Sequence, residues 1–290
     1  MTPLSVHSPL NSSRGQRRTA AVALCAGALA LIAGCSTSST GTTGGTGTTG
    51  TTAPLTPQKA IRLAADESRR VNSLAATFSE RIGSPAVATT SATMQLRLKP
   101  KLLANVSLRT STSGRTTTVD EIVSAKAVYL KERSAQTGRP WIEIRFSDLG
   151  GSLGNSISSL LQAAQNGNPA EQTQVLTASK DVRAVGTQVV NGVETTHYKG
   201  SVTASTALAS LKPAVRKGLA PLMKLITGQI HFDVWIDAQH VTRRLVEVET
   251  VVGEPATVTV NVTAVNQPVQ ITPPPASQVT ILPRSQLRGL

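Results

Sequence analysis

The feature that most constrains this 290-residue chain is a period-two alternation of apolar and polar side chains that recurs along much of its length. Between Ser91 and Lys99, Met94, Leu96 and Leu98 alternate with Thr93, Gln95, Arg97 and Lys99. Successive side chains of a strand point to opposite faces, so such a segment has one dry and one wet face. Leu103 to Arg109, Thr116 to Val123, Ala127 to Glu132 and Trp141 to Phe146 are expected to be further strands. Val182 to Val190 and Val193 to Val202 flank Asn191-Gly192, the pair best suited to a two-residue hairpin turn. Gln229 to Ile236 puts Ile230, Phe232, Val234 and Ile236 on one face, and strands over Val241–Val252 and Ala256–Val265 follow.

Helical spacing interrupts the alternation at a few places. Thr56-Pro57 offers a cap and a first-turn proline ahead of Ala60, Ile61, Ala64 and Ala65. Leu149 to Ala164 places Leu153, Ile157, Leu160, Leu161 and Ala164 on one face. No charge occurs from Leu149 to Ala170, so this helix is expected to be buried or to face something other than bulk water. A second helix is expected over Pro169–Ala178. A third, Leu208 to Ile226, carries Leu208, Leu211, Val215, Leu219, Leu222 and Ile226 at steps of three and four. Pro213 and Pro221 each remove a donor from it, and Pro221 is expected to kink or break it. The expected fold class is α+β with one large antiparallel sheet: a single domain over 54–266 and a proline-rich, extended tail over 267–290.

The front of the chain has a different grammar. Arg14, Arg17 and Arg18 precede fifteen uncharged residues, Thr19 to Ala33, a basic n-region and an h-region of signal-peptide length. Ile32-Ala33-Gly34-Cys35 then resembles the bacterial lipobox. That likeness implies removal of residues 1–34 and a diacylglyceryl group on the Cys35 thiol, and two acyl chains hold a protein to a membrane where one does not. Residues 36–53 are almost wholly Ser, Thr and Gly, with no charge, and cannot bury enough surface to fold. They are expected to be a flexible tether. Cys25 leaves with the signal, so the mature chain is expected to have no thiol for a disulfide or a redox motif.

Composition then narrows the function classes. Loss of residues 1–34, which hold three arginines and no acid, lowers the formal charge from +13 to +10. The charges are scattered, and the seven Phe, Trp and Tyr residues leave little material for stacking on bases. Nucleic acid is not an expected partner. An exported basic protein meets anionic head groups and wall polymers instead. His197, His231 and His240 lack metal-binding spacing. His231 with Asp233, and Asp237 with His240, are expected to be surface hydrogen-bonded pairs, and His197-Tyr198 to be structural. There is no Gly-x-Ser-x-Gly, phosphate loop or supported carboxylate pair, so no enzyme and no cofactor are expected.

Arg139-Pro140-Trp141-Ile142-Glu143, the hairpin Asp181–Gly200 with its Gly-Val-Glu-Thr-Thr-His-Tyr run, and Asp233-Val234-Trp235-Ile236-Asp237 with Arg243-Arg244 resemble actinobacterial lipoproteins of the LprG/LppX type, relatives of the carrier LolA. The likeness covers most of 56–266. It implies a strongly curved antiparallel sheet like half a barrel, with helices on its concave side and an apolar cavity between. It further implies a lipid or lipoglycan ligand, a membrane transporter or other envelope partner, and residence on the extracytoplasmic face of the membrane, anchored through Cys35. Leu153, Ile157, Leu160, Leu161, Leu211, Val215, Leu219, Leu222, Met223 and Ile226 are the candidate cavity lining. Their aliphatic stripes suit acyl chains, with plain core packing as the competing reading. The competing function is a non-enzymatic interaction or sensor protein that uses its basic surface on a protein or an anionic wall polymer.

Overall fold

The computed structural model describes residues 55–131, 138–149, 175–211 and 213–286; the side chains of residues 214, 215, 218, 222 and 286 are not among them. Cys35 and the 1–53 segment, and Leu153, Ile157, Leu160 and Leu161, lie outside the described residues.

Among the described residues, twelve strands form one sheet. They are β1 (Ser73–Ile82), β2 (Ala88–Arg97), β3 (Leu103–Thr112), β4 (Arg115–Ser124), β5 (Ala127–Lys131) and β6 (Trp141–Arg145), then β7 (Arg183–Val190), β8 (Val193–Thr203), β9 (Ile226–Asp237), β10 (Thr242–Val251), β11 (Glu254–Val265) and β12 (Val279–Ile281). The spatial order is β12-β6-β5-β4-β3-β2-β1-β11-β10-β9-β8-β7. Two antiparallel meanders, β1–β6 and β7–β11, are therefore joined where β1 pairs with β11, with Leu74 opposite Val265. The sheet is open and curved, as the resemblance implies.

Local chemistry explains the tight turns. Ser113-Gly114, Asn191-Gly192 and Val252-Gly253 each link adjacent strands with both residues at positive φ, the mirror-image turn that matches strand twist. Asn and Gly tolerate that region; a β-branched valine does not do so easily.

Helix α1 (Pro57–Ser68) starts as expected, with the Thr56 hydroxyl accepting from the Lys59 N–H. It buries Ala60, Ile61 and Ala64 against Tyr198, Phe232, Val234 and Ile236. Gly200 on β8 makes room for this packing: a Cβ there would sit 2.7 Å from the Phe232 ring. The helix expected over 208–226 is instead two helices, α2 (Ala204–Ala209) and α3 (Pro213–Met223). The break falls before Pro213, whose missing N–H and ring cannot continue the preceding helix. Arg216 answers the freed carbonyls, donating to Ala209 O and Leu211 O at 3.0 and 2.9 Å. Pro221 stays inside α3, which ends at Met223. Of the helix expected over 169–178, the described part is helical at residues 175–177.

Two further departures matter. Strand β1 falls in a stretch for which the alternation gave no strand, because Glu80 interrupts the apolar series Leu74, Ala76, Phe78. The extended tail is also part of the fold. It runs back over the outer face of β3–β6, where Val269 and Ile271 cover Leu103, Ile122, Tyr129 and Trp141. It then adds β12 parallel to β6, and Leu282 enters the main core. The tail is a strap that ties one end of the sheet to its middle.

Candidate functional site

The inner face of the sheet carries the main core on one side and the α1-covered core on the other. The register defines a row running Leu108 (β3), Ala92 (β2), Phe78 (β1), Val260 (β11), Leu245 (β10) and Val234 (β9). Leu108 and Ala92 at one end and Val234 at the other are buried, but Phe78, Val260 and Leu245 between them are only half-buried. Central strands of a two-layer packing normally bury such side chains most deeply. Here the two cores part, and an apolar floor over β1, β11 and β10 keeps accessible surface.

The next row toward one end of the sheet is polar except at Val258: Thr110, Thr90, Glu80, Val258 and Glu247. Glu249 lies two residues further on the same face of β10. Loss of hydration inside this concave face pushes the Glu247 carboxyl up to about 7, with the neighbouring Glu249 adding to the shift. Glu249 is raised by burial first and by Glu80 second, and Glu80 is raised by burial. Thr110 Oγ1 is buried without a hydrogen-bond partner in the same row. The floor thus offers apolar surface followed by hydroxyl and carboxyl groups, of which Glu247 is able both to donate and to accept near neutrality.

The expected lining residues fall as follows. Leu211 and Leu219 are buried together, with Leu208, Val175 and Met223 packed against them. Met223 also joins Val202, Ala207 and Ile230. Ile226 is not helical; it opens β9 opposite Val251, because the chain turns into strand after a two-residue link, Lys224-Leu225, from α3. Val215 and Leu222 lie in α3, and their side chains are not described. The helix residues that are described therefore gather at the end of β9 and β10 that also holds Glu249. Phe78, Val258, Val260, Leu245 and the three glutamates had no place among the expected residues. Period two in β10 and β11 placed them on one face, but their meeting depends on β1 pairing with β11.

Of the motif residues, His197, Asp233, Trp235, Asp237 and Arg244 lie on the opposite, outer face, while Tyr198, Val234 and Ile236 belong to the inner core under α1. His197 stacks on Trp235 at 4.3 Å between ring centroids and 8° between planes, and Arg244 lies 5.5 Å from the Trp235 ring. The Trp235 indole N–H donates to Gln188 Oε1 at 2.6 Å. Asp233 meets His197 Nε2 at 2.5 Å and Lys199 Nζ at 3.6 Å. The expected pairing with His231 is replaced because the neighbouring strand, and not the residue two positions away, brings a partner within reach. Asp237, 4% exposed, accepts from Arg243 Nε at 2.7 Å and from the Gln239 and Val241 amides. It thereby closes the β9–β10 turn around His240, which has positive φ. Among the described residues no three His, Cys, Asp or Glu side chains are grouped to hold a metal, and no helix is long and apolar enough to cross a membrane.

No family model matches the chain. An uncharacterized 31.2 kDa protein from the rplA-rplJ intergenic region of Streptomyces griseus is 31% identical over 105 residues, a match that spans 34% of the length of either chain. The crystal structure of LprF from Mycobacterium bovis superposes with a TM-score of 0.50 at 13% identity, covering 75% of this chain and 96% of that one. The Mycobacterium tuberculosis lipoprotein LppX gives a TM-score of 0.48 at 19% identity, covering 74% and 98%. At 13% identity the LprF likeness speaks for the fold alone: this chain shares the curved-sheet fold of LprF, as the resemblance implies.

Proposed function

We propose that this protein is an exported lipoprotein, held to the extracytoplasmic face of the cell membrane through Cys35, that binds one or more acyl chains on the inner face of its sheet. The observation that carries the reading is the half-buried run Phe78, Val260 and Leu245, lying between fully buried neighbours on both sides. An apolar floor without directional partners accepts chains of varied length. Glu80, Glu247 and Glu249 then receive the ligand's polar end. Leu219 and Met223 of α3, at the end of β9 and β10 that also holds Glu249, flank the ligand's path. The role is carriage or presentation of a lipid, with no chemical step.

The test is purification from the native host or a related one, organic extraction and mass spectrometry. A lipid present in about one-to-one ratio, and lost in Val260→Asn and Leu219→Asn variants that keep wild-type circular dichroism, is the expected result. A folded protein that carries no lipid and takes up no fluorescent fatty acid contradicts the reading. It would leave a surface-acting interaction module.

A further inference from the structure

The Asn191-Gly192 turn uses residues suited to positive φ and the Ser113-Gly114 turn an unbranched one, whereas the β10–β11 turn puts the β-branched Val252 at φ 51°. A β-branched side chain in that region strains the backbone, and strain of this kind concentrates where a surface is used. Val252 is also 72% exposed. An apolar side chain is held in an unfavourable conformation in order to face solvent.

It is not alone. The Val252 N–H donates to Leu225 O at 2.8 Å, and Leu225, at the α3–β9 junction, is 47% exposed. Gly83 N donates to Pro255 O at 2.8 Å and so fastens the β1–β2 turn beside the base of the β10–β11 turn; that first turn ends in Val87, 57% exposed. The three aliphatic tips lie on the same end of five adjacent strands, β2-β1-β11-β10-β9, which span roughly 20 Å at about 4.8 Å per step. Exposed cations accompany them: Arg81 beside the first turn, Arg115 at the β3–β4 turn and Lys224 next to Leu225, against the single exposed acid Glu254 at these turns. Glu80 and Glu249 lie two residues inside this rim, on the inner face.

Resting on the reading above, we propose that this rim, with Val87, Leu225 and Val252 at its tips, docks onto an anionic lipid bilayer and sets the Glu80 and Glu249 end of the inner face against it. Aliphatic tips enter the head-group boundary while Arg81, Arg115 and Lys224 meet the anionic lipids. Each contact is weak. The tether supplies the local concentration that makes weak contacts sufficient. Docking at this end gives an acyl chain a path from bilayer to floor that does not cross water.

The test uses the full chain reconstituted into vesicles of phosphatidylglycerol and phosphatidylcholine. An environment-sensitive fluorophore is placed through V87C, L225C or V252C, or through V189C or I281C, two exposed positions on the edge strands β7 and β12. Brominated lipids are expected to quench the three rim sites at least about threefold more than the two edge sites, and only with phosphatidylglycerol present. V252N should lower quenching at L225C while raising the melting temperature by a few degrees, because asparagine relieves the strained turn. Equal quenching at all five sites, or a V252N chain that docks as before, overturns the proposal. A chain that does not remain with the vesicles at all overturns the membrane anchor itself. Loss of rim quenching with lipid still bound would overturn the docking surface alone.

Discussion

The two faces of the sheet are held by different physics. The outer face is fixed by directional contacts: the His197–Trp235 stack, the Arg244 cation over it, the Asp237–Arg243 pair and the strap that seats Ile271. Each needs a particular residue type at a particular place. The packed part of the inner face is built mainly from apolar side chains that need only be about the right size. Such a surface can leave part of itself open at modest cost and can receive a ligand without choosing its details. The residues that carry the family resemblance, His197, Trp235 and Asp237 outside and Tyr198, Val234 and Ile236 under α1, therefore mark the scaffold, and the floor of Phe78, Val260 and Leu245 carries no motif.

The comparison can be broken most forcefully at Trp235. Trp235→Ala removes a ring that is 8% exposed, together with its stack and its hydrogen bond, and should destabilise the fold by about 3–5 kcal/mol in chemical denaturation. Lipid bound per folded molecule should be unchanged; a parallel loss of lipid would mean that the two faces are not separable. Next, Ile271→Ala at the strap should cost about 2–4 kcal/mol, since Ile271 is buried against Leu103 and Ile122. A change within experimental error would make the strap a passenger.

On the inner face, Glu247→Gln sharpens the contrast through pH. The Glu247 carboxyl is raised in the folded protein to about 7 from an ordinary 4.5, so the folded state binds its proton more tightly than the unfolded chain does. Stability on its account is full below pH 4.5 and declines as pH rises toward 7. Glu247→Gln should remove that decline, on the order of 1–3 kcal/mol, flattening urea midpoints between pH 5 and 7.5. A profile identical to the wild type would mean that the carboxyl is well hydrated. The smallest effect is expected at the opposite sign. Asp181 is held down to about 2, chiefly by the Ser179 hydroxyl and then by the Ser201 amide, so its contribution is lost as pH falls from about 4 toward 2. Because Asp181 is exposed, Asp181→Asn should cost less than about 1 kcal/mol at neutral pH.

The same division explains what was legible in the sequence. Strands with clean alternation, such as β2 and β9, and the Asn191-Gly192 turn are local statements, and they hold in the structure. Helix α1 is legible because Thr56, Pro57 and the alanines agree with one another. Strand β1 was not, because Glu80 faces inward in a place where alternation alone asks for an apolar residue. The α2–α3 break was assigned to the wrong proline, since both prolines remove a donor and only tertiary context decides which carbonyls find a substitute such as Arg216. The open floor was least legible of all. It exists only because β1 and β11, joining residues such as Leu74 and Val265, meet at the centre of the sheet.

The most direct measurement is photolabelling of the native protein with a diazirine-bearing fatty acid, followed by peptide mass spectrometry. Labels should fall on the peptides containing Phe78, Leu245 and Val258–Val260, and excess unlabelled lipid should compete them away. Labels spread over outer-face residues, or no saturable labelling of the β1, β10 and β11 peptides, would contradict an inner face built to hold an acyl chain.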